Sequence, residues 1–384
     1  MTSRRTFMTR SLALGCSLAA SPLVTPVTFA AAPGDNRLVV IVLRGAMDGL
    51  DVLRPLGDNS LRIHRPTLST DDSLALTDFF GLHPALDPLL PLWTAGELSF
   101  AHAVSTPYRD KRSHFDGQDI LEAGVAGSDV GEDGWLNRAL TFLPGASAET
   151  AFAVGRENLR LLAGAASTST WSPDSELNLS PQAELLLRHI YSQDPLFKDA
   201  AEKAMALSDL TDNPMSPRRA SRAKPLAEFT AGRLREDTRI AAFSINGWDT
   251  HANQANSLPN ALAELSDALV TLKSGLGPVW NKTAVLCLTE FGRTVRENGS
   301  RGTDHGTGGA AIFAGGALKG RKIMGDWPGL GDGDLYQDRD LMPTADVRRY
   351  AAWALQALFP LSATEITNTI FPNLDMGSDP GLIA

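Results

Sequence analysis

The most constraining feature of the chain is a set of short apolar runs that do not alternate with polar residues and that stop at turn residues. Residues 38–43 end at Arg44-Gly45, 98–104 at Ser105-Thr106-Pro107, 239–245 at Asn246-Gly247, 283–288 at Thr289-Glu290, and 310–314 at Gly315-Gly316. A strand with one wet face alternates; a continuous run is a strand covered on both faces, as in a parallel sheet. Helical spacing falls between these runs, over 84–95, 114–123, 258–276 (Leu262, Leu265, Leu269 and Leu272 on one stripe) and 347–358, the last opened by Thr344 as N-cap. The pattern predicts an α/β fold, doubly wound around a mostly parallel sheet, over residues 33–384. Residues 144–225 have weaker periodicity, with candidate helices at 182–210 and 220–237, and read as a cap or insertion region.

The N-terminus has a different character. Arg4-Arg5-Thr6-Phe7-Met8 precedes an apolar stretch, and small residues run to Ala30-Ala31-Ala32 just before Pro33. This order of cationic, apolar and small residues is that of a secretory signal, and the paired arginines resemble the twin-arginine type. Residues 1–32 are therefore expected to be removed and the protein to be periplasmic or secreted. Pro22 and Pro26 interrupt the run, so no transmembrane anchor is expected after cleavage. Without this segment Cys287 is the sole cysteine, which excludes an internal disulfide and a thiolate metal cluster. The net charge of −9 becomes −12 without the three arginines of the segment. A chain this acidic and without basic runs is no nucleic-acid binder.

In open parallel sheets ligands bind beyond the carboxyl ends of the strands. Asp48 follows the first run, Arg112-Ser113-His114 the second, Asp249 and His251 the third, Glu290 and Arg293 the fourth. Asp304-His305 lies in the glycine loop 302–309 before the fifth. Each alone has a structural explanation: a turn residue in Asp48, an N-cap in Ser113, a hydrogen-bonded pair in Asp249 and His251, an ion pair in Glu290 and Arg293. As a set, carboxylates and imidazoles without thiolate suit zinc, manganese, magnesium or calcium. A helix start at Ser113 favours an anion, and Arg44, Arg109, Arg112 and Arg293 would fork onto phosphate or sulfate oxygens. The composite points to metal-assisted chemistry at an anionic ester.

The runs 43–50 and 108–124, Gly134-Trp135-Leu136-Asn137-Arg138, Trp248-Asp249-Thr250-His251, Thr289-Glu290-Phe291-Gly292-Arg293-Thr294 and Thr303-Asp304-His305-Gly306 resemble an exported bacterial family, the domain of unknown function fifteen-oh-one. That family is similar to the alkaline phosphatase and sulfatase superfamily. The resemblance implies an alkaline phosphatase-like sheet, Asp48 as a metal carboxylate and Ser113 as nucleophile, with Arg112, His114 and Arg293 beside it. It implies Asp249, His251 and His305 on one metal, with Asp304 and Glu290 in the metal set. Phe291 stands where the superfamily has a histidine, and Asp-x-His is shorter than its Asp-x-x-x-His. Two readings follow: a hydrolase of sulfate or phosphate esters, or a catalytically weak binding or accessory protein that keeps the fold and a reduced metal site.

Overall fold

Every residue of the first apolar run, Leu38 to Leu43, is at most 1% exposed, because both faces of the strand it forms are covered. Val39, Ile41 and Leu43 pack into one core with leucines of the helix Gln254–Leu276. Leu38, Val40 and Val42 pack into the other with the helix Arg348–Leu358. Burial on both sides is the physical reason for the missing alternation. The computed structural model describes residues 34–109, 111–125, 131–173 and 221–384. The expected signal segment, 1–32, and the candidate helix 182–210 lie outside the described residues.

The described strands are β1 (Arg37–Arg44), β2 (Leu53–Pro55), β3 (Leu74–Ala75), β4 (Phe80–Leu82), β5 (Leu98–Ser105), β6 (Ala151–Val154), β7 (Ser169–Trp171), β8 (Ile240–Asn246), β9 (Thr283–Leu288), β10 (Gly309–Ala314), β11 (Ile323–Met324) and β12 (Ala345–Asp346). The main sheet runs β11-β5-β10-β9-β1-β8-β6-β7, with β12 also against β5; β2, β4 and β3 form a small separate sheet. At the centre β1 is parallel to β8 (Ile41 opposite Phe243) and to β9 (Ile41 opposite Cys287). β10 alone of these long central strands is reversed: it is antiparallel to both β9 and β5. The fold is α/β with a mostly parallel sheet covered on both faces. No helix among the described residues is long and apolar enough to cross a membrane.

The five apolar runs form β1, β5, β8, β9 and β10. Residues 84–95 divide into a 3-10 turn, Pro84–Leu89, and a short helix, Leu90–Ala95. Pro88 and Pro91 lack the N–H groups that one continuous α-helix would need. Thr344 does not cap the last long helix, which starts at Arg348. Its hydroxyl donates to Asp326 O at 3.0 Å, and Asp346 Oδ1 takes the Arg348 N–H at 2.9 Å instead. Within 144–225, β6 and β7 join the edge of the main sheet and a helix spans Ala223–Leu234; residues 174–220 lie outside the described residues.

Candidate metal centre

The carboxyl ends of β1, β8 and β9 share a rim with the start of the reversed β10. β1 leaves the sheet through Gly45 and Ala46, at φ 118° and 60°. A Cβ on Gly45 would stand 2.6 Å from Asp249 N, so only glycine lets this turn pass against the end of β8. Trp248, fully buried with Nε1 donating to Ile245 O at 2.9 Å, anchors the next turn and sets the direction of Asp249. His114 opens the helix His114–Ala123 directly after its N-cap, Ser113.

Three imidazoles surround the Asp249 carboxylate, and each has Nδ1 tied to a group that can only accept. His114 Nδ1–H donates to Glu290 Oε1 at 2.8 Å, His251 Nδ1–H to Asp304 Oδ1 at 2.9 Å, and His305 Nδ1–H to the Arg112 carbonyl at 2.8 Å. The three Nε2 atoms are therefore turned inward. Asp249 Oδ1 lies 3.0 Å from His251 Nε2 and 3.2 Å from His305 Nε2, and its Oδ2 lies 3.5 Å from His114 Nε2. Arg293 Nη1 donates to Asp249 Oδ1 at 2.9 Å. Among the described residues it is the sole strong donor to this carboxylate, which faces a group of inward Nε2 atoms.

The electrostatics follow from these partners. Burial works against the Asp249 charge, but the bond and charge of Arg293, then His251 and His114, hold its carboxyl below the usual range. The Glu290 bond raises His114, whereas burial, with the charges of His114 and Arg293, lowers His305. Burial is likewise outweighed at Asp304, where bonds from His251 and Asn298 keep the carboxylate ionised.

The remaining predicted residues lie elsewhere. Asp48 is buried and belongs to Arg65: its Oδ2 accepts from Arg65 at 2.8 Å, Gln254 at 2.7 Å and Thr303 at 3.3 Å. Its full complement of donors removes it from the metal set. Glu290 stands behind His114, and Asp304 behind His251. Ser113 Oγ accepts from Asp116 N at 3.4 Å and lies against the Tyr108 hydroxyl. Arg112 contributes its carbonyl, while its guanidinium pairs with buried Asp340 at 3.2 Å. The expected anion forks are engaged: Arg44 by Gln118, Glu122 and Glu157, Arg109 by Ser105 and nearby carbonyls, Arg293 by Asp249 and Thr303. Sequence reading placed His114 among catalytic groups rather than ligands. It missed Gln118, Arg65, Gln254 and Asn298; only Gln118 had a signal, four residues after His114 on the same helix face.

The donor set fits a divalent cation. His114, Asp249 and His305 each offer one ligand atom, and the three atoms lie within 4.8 Å of one another. His114 Nε2 is shielded from solvent and makes no hydrogen bond, which a ligand bond would satisfy. Two imidazoles and a carboxylate, with each Nδ1 oriented from behind, are the ligands and support that zinc or manganese uses. Cys287 takes no part; it is buried within β9, and burial pushes its thiol far up.

No curated protein matches the chain. Among solved structures it is similar to a member of the alkaline phosphatase superfamily from Vibrio parahaemolyticus, at 12% identity and TM-score 0.34, covering 76% of this chain and 63% of that one. It is also similar to lipooligosaccharide phosphoethanolamine transferase A from Neisseria meningitidis, at 9% identity and TM-score 0.38, covering 81% and 55%. The alkaline phosphatase of the Antarctic bacterium TAB5 matches at 9% identity and TM-score 0.34, covering 74% and 91%. The chain thus spans less than two thirds of the first and second of these proteins, and likeness at this level fixes no residue's role. One family does match along most of the chain, over residues 94–370: the protein belongs to DUF1501, a family described as proteins of unknown function.

Proposed function

We propose that the protein is a divalent-metal-dependent hydrolase of phosphate or sulfate esters, exported through its twin-arginine segment. The observation that carries this reading is the inward turn of three Nε2 atoms onto Asp249, with every Nδ1 already bonded. His114, Asp249 and His305 would hold the cation, with His251 beside them. When bound, such an ion supplies Lewis-acid polarisation of an ester oxygen. The chain's own residues do the rest of the positioning: Glu290, Asp304 and the Arg112 carbonyl aim the rings, and Arg293 fixes the carboxylate. The helix N-terminus at Ser113 favours an anionic group beside it, and the Ser113 hydroxyl is the candidate nucleophile.

A second reading, a metal-binding protein without turnover, is favoured by the Ser113 hydroxyl itself, which serves the helix as its cap. Metal content of the purified protein, together with turnover of an aryl phosphate and an aryl sulfate, separates the two. Stoichiometric metal with turnover that Ser113→Ala abolishes supports the hydrolase. Metal without turnover of either ester supports the binding protein. A protein that takes up no metal overturns both.

A further inference from the structure

Glu290 is fully buried and accepts hydrogen bonds from four groups in separate parts of the chain through one oxygen. Its Oε1 takes the N–H groups of Gly45 at 2.9 Å and Ala46 at 3.1 Å, His114 Nδ1–H at 2.8 Å and Gln118 Nε2 at 3.2 Å. Its Oε2 lies 3.0 Å from the Thr289 hydroxyl, whose proton it shares with the Leu43 carbonyl at 2.9 Å. One oxygen thus ties the turn after β1 to the first and fifth residues of the helix His114–Ala123. An oxygen so surrounded has no lone pair left for a cation. With two backbone N–H groups and the Gln118 amide also donating to it, Oε1 meets His114 as an acceptor and fixes the ring proton on Nδ1.

The residue after it completes the arrangement. The Phe291 ring stacks on His114, centroids 5.3 Å apart and planes at 21°, and on Tyr108 at 5.9 Å. Gly117 gives it room, since a Cβ there would meet the Phe291 ring at 2.9 Å. Glu290 therefore sets which edge of the imidazole faces inward, and Phe291 sets its plane.

We propose that Glu290 is a positioning residue, which through Oε1 holds His114 in the Nδ1–H tautomer and, as a charged acceptor, strengthens the Nε2 donor that the ring presents to the metal. The assignment rests on the proposed metal centre for its consequence, and on the bonds of Glu290 for its cause. A carboxylate behind a ligating imidazole raises its basicity, and loss of such a partner costs 10- to 100-fold in metal affinity.

Glu290→Gln is the informative variant. The amide oxygen keeps the place of Oε1 and all four donors, while the amide nitrogen faces Thr289, whose hydroxyl turns to accept. The fold and ring orientation should survive and only the charge should go. Two measurements on the full chain test this. Nitrogen-15 spectra of the metal-free wild type, taken well above the imidazole range, should show His114 protonated on Nδ1. Zinc titration of Glu290→Gln should show affinity about 10- to 100-fold below wild type at unchanged unfolding midpoint.

Protonation of His114 on Nε2, or wild-type zinc affinity in the variant, overturns the assignment. If Glu290→Gln does not fold, the wild-type spectrum alone decides. A wild type that binds no zinc yet shows the Nδ1–H tautomer overturns the proposed function and supports the positioning role.

Discussion

The Nε2 atoms of His251 and His305 face one another at 2.9 Å, while the Nδ1 of each is bonded elsewhere, to Asp304 Oδ1 and to the Arg112 carbonyl. Two lone pairs at that distance repel unless a positive charge sits by them. The same holds for each ring against Asp249 Oδ1, where Arg293 is the strong donor among the described residues. Zinc or manganese should therefore stabilise the fold as well as bind. At a concentration about 100 times Kd the gain should be about 2.7 kcal/mol, read as a rise in Tm that a chelator reverses. His114→Ala and Asp249→Ala should lose most of that rise.

Asp48→Ala should behave in the opposite way. Removing the carboxylate leaves Arg65, 1% exposed, as a buried cation without its counter-charge. Breaking a buried pair from one side costs roughly 3–5 kcal/mol. Urea unfolding should show that loss, while metal bound per folded molecule stays at the wild-type value.

Ser113→Ala separates capping from chemistry. Loss of an N-cap costs about 1 kcal/mol, so the unfolding midpoint should fall slightly and metal content should not change. The hydrolase reading requires ester turnover to disappear; turnover at the wild-type rate would leave Ser113 as a cap alone.

Acid should act through a group outside the metal centre. His102 on β5 is buried, stacked on Phe80 at 5.0 Å and edge-on to Trp327 at 5.4 Å. Burial pushes its pKa down to about 4, against which the Gly325 backbone and Asp326 work only in part. The unfolded chain takes up a proton near pH 6.5 that the native ring refuses. The contribution is thus complete above pH 6.5 and is lost as pH falls to about 4, at roughly 1.4 kcal/mol per unit and about 3 kcal/mol in all. Urea unfolding at pH 7 and pH 4.5 should show the loss, and His102→Leu should show less of it.

The legible part of this protein was its sheet. Continuous runs such as 38–43 state directly that both faces are dry, and the five strands they predict are present. The rim residues were legible as a group, because turn glycines and charged side chains cluster where runs stop. Their division of labour was not. Glu290 and His114 are equally plausible ligands in sequence; which of them faces inward depends on the Gly45 and Ala46 N–H groups, supplied by a turn some 245 residues away. Asp48 reads as a ligand in the sequence because nothing local announces Arg65, which reaches it from 17 residues further along the chain. Thr344 had the right chemistry for a cap but meets a better partner in Asp326 O. Nor does a run such as 310–314 carry its direction, since β10 is covered on both faces whichever way it points.

That direction has a consequence for how the protein comes into being. β10 sits between β5 and β9, with Ile312 opposite both Phe100 and Cys287. These pairings join segments remote in sequence, and such contacts form slowly and late. A growing chain that stops before residue 309 already holds His114, Asp249 and His305, yet lacks β10, the strand that anchors the far end of the 302–309 loop to the sheet. A cation held by these three residues would draw its ligands from three separate segments, unlike the closely spaced ligands of small zinc domains. On the proposed reading, its uptake would report a finished scaffold rather than start one.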